Sequence, residues 1–211
     1  MIIHIGYPRA ASTSIEEYMR KYLTVAHADM TDLLGANDYS KYDYVRAESA
    51  IDGNTFPDEW HAEKWKSLLY RPGYAEEAFK YVKVDPTGNA VALHKRYPNA
   101  KILIVTREHT AWLKSIYRYC VGEMLWQHRS FENYLLTPSG KSHRMAALNE
   151  DLIIKTYRSL FTKGVLVLRY EWISGHTFMA ALCDFAGVPI GKLPHVNQSS
   201  KRYWIRKWLK P

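Results

Sequence analysis

Residues that could bind an anion lie close together near the start of the chain. Arg9 is followed, after two alanines, by the hydroxyl residues Ser12, Thr13 and Ser14. A β-branched run before Arg9 predicts a buried strand ending at Gly6, and the apolar residues after Ser14 recur at helical spacing. The hydroxyl residues would then open a helix, whose unpaired N–H groups and partial positive charge favour anions. The stretch therefore predicts a phosphate-binding loop between a strand and a helix.

The same spacing can be compared with the P-loop of nucleoside triphosphatases, G-x-x-x-x-G-K-[ST]. Gly6 and Thr13 fall at the two ends of that frame, but Ser12 takes the place of the lysine that would reach the β- and γ-phosphates. This change counts against an ATPase or a GTPase. An ordinary strand–turn–helix connection with a Ser or Thr cap is an alternative interpretation of the same residues.

A second cation follows the aliphatic run 101–106, which is typical of a buried parallel strand. Arg107 comes directly after this run, and Ser115 lies eight residues later on the next predicted helix. A guanidinium offers a planar fork suited to phosphate oxygens, and a helix hydroxyl adds a donor. Taken alone, an arginine after a strand is more simply explained by a salt bridge. Together with the first loop, it predicts two phosphate sites at successive strand ends, as a bisphosphorylated nucleotide needs.

Both stretches resemble signatures of the sulfotransferases that use 3′-phosphoadenosine 5′-phosphosulfate (PAPS). Residues 8–13 are similar to the family's 5′-phosphosulfate loop, P-K-x-G-T-T, with Arg9 in place of lysine and Ala11 in place of glycine. Residues 100–107, with the serine eight residues later, are similar to its 3′-phosphate signature. The resemblance implies an α/β protein with three α/β/α layers and a mainly parallel central sheet, the P-loop-NTPase-like sulfotransferase fold.

Later segments extend the resemblance. Residues 164–171 and 177–189 are similar to a strand and a helix of the family, and Tyr170 would stack near the adenine. Two basic residues near the C-terminus, Lys201 and Arg202, would close over the 3′-phosphate. The cofactor-binding residues that the resemblance implies are Arg9, Ala10, Ala11, Ser12, Thr13, Ser14, Arg107, Ser115, Tyr170, Lys201 and Arg202.

The implied chemistry is in-line transfer of a sulfuryl group from PAPS to a hydroxyl or amine. Charge develops on the leaving phosphate oxygen, so cations held in place there lower the barrier, and Arg9 and Lys83 are the expected ones. Lys83 ends a predicted strand that resembles the K-T-H strand end of the cytosolic enzymes, with Asp85 at the position of their catalytic histidine. Asp85 is the first candidate for the base, ahead of Glu48 and His61. A strand-end salt bridge followed by an Asp-Pro turn is the alternative for Asp85.

Arginine at position 9 also has a chemical consequence. Arg9 keeps the positive charge of the family's lysine, but a guanidinium does not give up a proton in proteins. Any role of residue 9 as an acid toward the leaving group would therefore be lost.

Length and composition predict one domain over residues 1–211, with 47% hydrophobic residues and enough chain for a full core. Residues 24–80 are expected to form a helical insertion on the acceptor side, and 197–211 a basic C-terminal segment. The net charge of +8 favours anionic partners and permits an acidic glycan as acceptor, while the aromatic residues permit a lipid or an aromatic small molecule. The resemblance implies PAPS as the other partner, and no nucleic acid is expected. The amphipathic residues 201–211 could contact a membrane surface.

The numbers and spacing of cysteines and histidines narrow the classes of protein to which the chain could belong. Cys120 and Cys183 are too few for a disulfide framework, and the chain has no signal peptide or membrane-spanning run, so a cytoplasmic location is expected. The nine histidines are scattered, which predicts no metal site. Two other classes stay open: a nucleotide or nucleoside kinase with a degenerate loop, and a non-catalytic basic module that binds membrane or nucleic acid.

Overall fold

The computed structural model describes residues 1–7, 9–48, 54–55, 83–84, 87–123, 130–136 and 138–194. Within these residues the strands are β1 (Ile2–Gly6), β2 (Val25–Asp29), β3 (Tyr44–Glu48), β4 (Asn54–Thr55), β5 (Lys83–Val84), β6 (Lys101–Thr106) and β7 (Val165–Arg169). The α-helices are α1 (Ser12–Met19), α2 (Met30–Leu34), α3 (Gly88–Arg96), α4 (His109–Glu123), α5 (Phe131–Leu136), α6 (Pro138–Leu148), α7 (Glu150–Leu160) and α8 (His176–Ala186).

The core of the molecule is a five-stranded sheet in the order β2-β3-β1-β6-β7. All four neighbouring pairs are parallel, with Ile3 beside Val45 of β3 and Ile102 of β6. The chain leaves β1 toward β2 and leaves β6 toward β7, so the connections run in opposite directions from these two neighbours. Open parallel sheets bind ligands at such a switch point, outside the carboxyl ends of the strands.

Helices cover both faces of the sheet. On one face α1 packs with α8, where the Cys183 thiol lies 3.7 Å from the Tyr18 hydroxyl. On the other face Tyr7 stacks on Trp112 of α4, with ring centroids 3.9 Å apart. The aliphatic side chains of β1 and β6 between these layers are almost completely buried, and each contributes about 1.5–3 kcal/mol by leaving water. This arrangement confirms the predicted three-layer α/β/α fold.

Most of the elements expected around the two anion sites are present. The strand over 101–106 has the predicted bounds, and β1 and α1 flank the first loop as expected. The helix α8 ends at Gly187, whose φ of 68° lies in the left-handed region that glycine adopts without strain. The predicted helix stop is therefore confirmed.

Two regions differ from the expectation. Residues 25–48 are not a helical insertion, because β2 and β3 are strands of the central sheet. Their polar residues alternate with apolar ones, and the sheet buries Arg46 by pairing it with a helix carboxylate. The other difference is β5, which holds Lys83 and pairs antiparallel with β4 in a separate two-stranded sheet rather than ending a strand of the central one.

Candidate functional site

The loop after β1 is built around an unusual backbone. The Tyr7 N–H donates to the Val105 carbonyl at 3.1 Å, so β1 and β6 stay paired up to the loop. Ala10 N–H then donates to the Tyr7 carbonyl at 3.1 Å, which closes a tight turn. Ala11 is the N-cap of α1, and its carbonyl accepts the first helical hydrogen bond, from Ile15 N–H at 3.0 Å.

The helix start leaves a row of backbone donors facing the loop. An N-cap residue and the first three helical residues have no intrahelical partner for their N–H groups. No side-chain hydrogen bond caps this end within the described residues, which rules out the Ser or Thr cap of the alternative interpretation. The donors belong to Ala11, Ser12, Thr13 and Ser14. We call these four residues, together with Arg9 and Ala10, the anion cradle.

Backbone strain is concentrated in the anion cradle. Arg9 has a φ of 67° and Ala11 a φ of 64°, and they are the two non-glycine residues with positive φ among those that the structure describes. Left-handed conformations cost a residue with a Cβ about 1–2 kcal/mol. A left-handed residue next to a helical one turns successive N–H groups into one concavity, which suits an anion. Retained strain of this kind is typical of functional loops.

Arg107 joins the second predicted anion site to the first. Its Nη1 donates to the Arg9 carbonyl at 3.0 Å, and its guanidinium carbon lies 4.4 Å from the centroid of the Tyr170 ring. The structure therefore brings together three residues that the sequence proposed for one nucleotide. The Arg107 Nε is buried and has no hydrogen-bond partner among the described residues. An unpaired buried donor costs about 1–3 kcal/mol, and a ligand oxygen would remove that cost.

The start of α4 is fixed beside Arg107. The Glu108 carboxylate accepts hydrogen bonds from the N–H groups of Thr110 at 2.9 Å and Ala111 at 2.6 Å. These backbone donors, that of Ala111 first, lower the pKa of Glu108. Ser115 lies on the same helix with its side chain half-buried. The structure thus places Ser115 on the predicted helix, and its role toward a phosphate stays a prediction.

Sequence reasoning missed a buried charge pair beneath the anion cradle. Arg46 Nη1 lies 2.7 Å from Glu16 Oε2 and donates to Thr13 Oγ1 at 3.1 Å. The side chains of Arg46 and Glu16 are only 7% and 6% exposed. Arg20 also binds Glu16, one helical turn away. The signal that could have revealed the pair is the polar–apolar alternation of 44–48, which predicts a strand with one charged residue on a covered face.

Two neighbours of this pair, His4 and Tyr44, stay neutral. Burial, followed by the positive charge of Arg46, lowers the pKa of His4 to about 3. Burial also raises the pKa of Tyr44, whose hydroxyl contacts His4 Nδ1. Because neither group is charged near neutral pH, the Glu16 carboxylate is the group that balances Arg46 here.

A second polar cluster lies at the same edge of the sheet, on its other face. His109 Nε2 is 3.1 Å from Glu150 Oε2, and since a carboxylate only accepts, this nitrogen carries the proton. Arg169 Nη2 lies 3.4 Å from Glu150 Oε1. Burial, with Glu150 as the second cause, raises the pKa of Tyr7. No sequence motif predicts this cluster, because its members come from four separate segments of the chain.

Several predicted site residues fall outside the described part of the chain. They are Asp85, His61, Lys201 and Arg202. For Lys83 and Glu48 the structure describes the backbone, at β5 and at the end of β3. Within the described ranges no group of three potential ligands could hold a metal ion. No helix in that part of the chain is long and apolar enough to span a bilayer.

A parallel sheet with helices on both faces, and with the anion cradle and Arg107 after its two central strands, defines a three-layer α/β/α fold of the P-loop-like class. Comparison with known proteins makes this assignment specific. A family model described as a sulfotransferase domain matches residues 1–172, and the chain belongs to this sulfotransferase family. The resemblance predicted from residues 8–13 and 100–107 is therefore confirmed.

The fold is also similar to a solved structure. The crystal structure of a sulfotransferase from Alicyclobacillus acidocaldarius matches with a TM-score of 0.59 and 15% sequence identity, covering 98% of this chain and 88% of that one. At this identity the likeness concerns the fold. A search of the curated proteins finds no match.

Proposed function

We propose that this sulfotransferase takes its sulfuryl group from PAPS and transfers it to a hydroxyl or amine of an acceptor. The observation that supports PAPS most strongly is the position of Arg107. One guanidinium contacts the Arg9 carbonyl of the anion cradle, lies over Tyr170 and keeps a buried Nε without a partner among the described residues. A nucleotide with separate 5′ and 3′ phosphates would occupy both the cradle and this fork.

The residues present fit such a ligand. The N–H groups from Ala11 to Ser14 would hold the 5′-phosphosulfate at the start of α1, where the helix dipole favours a negative charge. Arg107 would take the 3′-phosphate, with Ser115 as a further donor, and Tyr170 would lie near the adenine. Lys201 and Arg202 are proposed to cover the 3′-phosphate.

The chemistry proposed for these groups is electrostatic. PAPS supplies an activated sulfuryl group, and the acceptor attacks in line with the leaving phosphate oxygen. Arg9 and the cradle N–H groups would stabilise the charge that develops there, and donors fixed in advance are the most effective for this purpose. Lys83 is proposed as an additional cation and Asp85 as the base, both on the resemblance of their strand end to the family motif.

The acceptor is proposed by class. A net charge of +8 favours an acidic acceptor such as a sulfated or carboxylated glycan, and the aromatic residues of 24–80 would suit a lipid or a phenol. No metal takes part in the proposed transfer.

Binding of two nucleotides that differ by one phosphate tests the proposal. PAP, the desulfated product, has both phosphates, and 5′-AMP lacks the 3′-phosphate. We expect PAP to bind at least about tenfold more tightly in titration calorimetry, because a charge-assisted hydrogen bond contributes about 1.5–3 kcal/mol. Arg107→Met should weaken PAP binding more than 5′-AMP binding, because it removes the cation proposed for the 3′-phosphate in addition to the hydrogen bond to the Arg9 carbonyl.

The matched control is Arg158→Met, which removes an exposed arginine of α7. It should bind PAP as the unaltered chain does. Equal affinities for PAP and 5′-AMP in the unaltered chain would contradict the proposed use of PAPS. Equal losses of both nucleotides in Arg107→Met would contradict the assignment of Arg107 to the 3′-phosphate.

A further inference from the structure

An arginine lies beneath the anion cradle, on the face of the sheet that α1 covers. Arg46 stands at the middle of β3, beside His4 of β1 and His27 of β2 in the parallel register. Side chains of paired residues in parallel strands point to the same face, so these three polar groups form a row across the sheet. Only Arg46 of this row reaches up to the first turn of α1.

One nitrogen of Arg46 makes the decisive contacts. Nη1 carries two hydrogens, and it lies 2.7 Å from Glu16 Oε2 and 3.1 Å from Thr13 Oγ1. The Thr13 hydroxyl therefore accepts a hydrogen bond from Arg46, which lies between α1 and the sheet. A hydroxyl has a single hydrogen of its own, and among the described residues no acceptor takes the hydrogen of Thr13. That hydrogen is left to donate to a group outside the protein core.

The position of Thr13 places its hydroxyl hydrogen beside the anion cradle. Thr13 is the second residue of α1, and its backbone N–H is one of the donors of the anion cradle. Its hydroxyl is thus held next to the place where an anion would bind. Removing the hydrogen bond from Arg46 would let the hydroxyl rotate and turn its hydrogen toward Glu16 or the backbone instead.

The arrangement that holds Arg46 is strong enough to fix one geometry. Glu16 neutralises its charge, and Arg46 Nη2 lies 3.0 Å from His27 Nδ1, so the guanidinium is held from α1 and from β2. Leaving a buried charge without its partner is costly, which keeps the pair in place. The guanidinium of Arg46 contacts the anion cradle through the Thr13 hydroxyl.

We propose that Arg46 is a positioning residue for the phosphate of the donor nucleotide: it orients the Thr13 hydroxyl so that the hydroxyl hydrogen donates to an anion in the anion cradle. The inference rests on the proposed function, in which that anion is the 5′-phosphate of PAPS or PAP. A purely structural salt bridge would instead change stability and leave nucleotide affinity as it is.

A double-mutant cycle on PAP affinity tests the inference. Thr13→Val removes the hydroxyl and keeps the shape, while Arg46→Lys keeps a cation beside Glu16 and loses the planar fork. We expect each single variant to weaken PAP binding about tenfold, as for one hydrogen bond to a charged group. The double variant should bind PAP no more weakly than Thr13→Val, since Arg46 acts through that hydroxyl.

Two variants serve as controls. Thr13→Ser keeps a hydroxyl that Arg46 can orient. Its PAP affinity should therefore stay within about threefold of that of the unaltered chain, in contrast to Thr13→Val. Tyr44→Phe lies on the same strand and face as Arg46 and removes the hydroxyl that contacts His4. It should lower the melting temperature without changing PAP affinity.

The outcomes separate this inference from the proposed function. No PAP binding by the unaltered chain would overturn both. PAP binding with effects that multiply to about a hundredfold in the double variant, or with Arg46→Lys equal to the unaltered chain, would overturn the inference alone. If Arg46→Lys does not fold, Glu16→Gln loosens the same anchor. Glu16→Gln alone should weaken PAP binding, and adding Glu16→Gln to the Thr13→Val variant should cause no further loss. An equal loss of PAP affinity in both cases would overturn the inference.

Discussion

At the scale of single residues, the anion cradle departs from the family's loop where the backbone needs most freedom. Ala11 stands where the family has glycine, and its φ of 64° is a conformation that glycine adopts without strain. The sequence showed the departure, but only the structure shows that the replaced glycine position is the left-handed one. The protein therefore retains strain that a glycine would relieve.

Ala11→Gly should raise the free energy of unfolding. Relief of the left-handed strain contributes about 1–2 kcal/mol, and the greater freedom of glycine in the unfolded chain offsets part of it, so we expect a net gain of about 1 kcal/mol. Urea denaturation measures this change. The neighbouring Ala10→Gly, at a position without positive φ, should lower stability, and a gain of the same size there would contradict the explanation.

Buried histidines give a second prediction at this scale. Burial lowers the pKa of His143 to about 4, and its Nδ1 lies 2.6 Å from the Tyr134 hydroxyl oxygen. His4 has a pKa of about 3 for a similar reason. Below the ordinary histidine pKa of about 6.5 the unfolded chain binds protons that the folded chain does not. Stability is thus fully present above pH 6.5 and is lost as the pH falls toward 4.

The free energy of unfolding should fall by about 1 kcal/mol per pH unit for each of the two histidines across this window. His143→Gln keeps an acceptor for Tyr134 and removes the titration. Chemical denaturation at pH 7, 6 and 5 should give a shallower slope for His143→Gln than for the unaltered chain. Identical slopes would show that His143 is not the titrating group.

Residues that belong to a motif could be named from the sequence, and residues whose partners come from distant segments could not. Arg9, Arg107 and Tyr170 follow strands, and the structure brings these three residues together, while their role toward a nucleotide stays a prediction. Arg46 carries no motif. Its role depends on the pairing of β3 beside β1, which brings residue 46 within reach of Glu16 and Thr13. The contact is set by sheet order, which periodicity alone does not reveal.

At the scale of elements, the site depends on how closely β1 and β6 approach each other. These neighbours carry the two loops proposed to bind phosphate, and Gly6 ends β1 beside Val105 of β6. A Cβ at Gly6 would lie 2.7 Å from the Val105 carbonyl oxygen, too close for the backbones to stay where they are. The absence of a Cβ at Gly6 therefore allows the two strands to approach closely, which sets the distance between Arg9 and Arg107.

Gly6→Ala should lower the free energy of unfolding by about 1–3 kcal/mol and also weaken PAP binding, because the strands that carry both loops must separate. Gly187→Ala is the matched control, since it strains the left-handed end of α8 without touching either strand. Thermal melts and PAP titrations of both variants test this. A loss of stability with unchanged PAP affinity in Gly6→Ala would contradict the role of strand spacing.

Elements with continuous aliphatic runs were predictable, and amphipathic strands were not. β6 is apolar and buried from Ile102 to Val105, as a strand covered on both faces must be, and its bounds agree with the prediction. β2 and β3 alternate polar and apolar residues, and two of their polar side chains, His27 and Arg46, lie at the charge pair under α1. The expectation of a helical insertion for 24–80 was wrong for 25–48 for this reason.

At the scale of the whole molecule, the fold places its basic loops at the carboxyl edge of a parallel sheet. The sheet order makes β1 and β6 the central pair of the switch point, and a net charge of +8 favours the approach of anions from solution. The family match to residues 1–172 agrees with this placement, because the matched segment includes every strand of the sheet. The bisphosphate donor is the part of the account that most needs a direct test.

Thermal stabilisation by PAP, compared with ATP–Mg²⁺, tests that central claim most directly. With each nucleotide at about one hundred times a micromolar dissociation constant, an authentic site adds about 2.7 kcal/mol, which corresponds to about 5–10 °C in melting temperature. We expect this shift with PAP, no comparable shift with ATP–Mg²⁺, and loss of the PAP shift in Arg107→Met. A shift with ATP–Mg²⁺ at least as large as that with PAP, or no shift with PAP, would contradict the proposed use of PAPS.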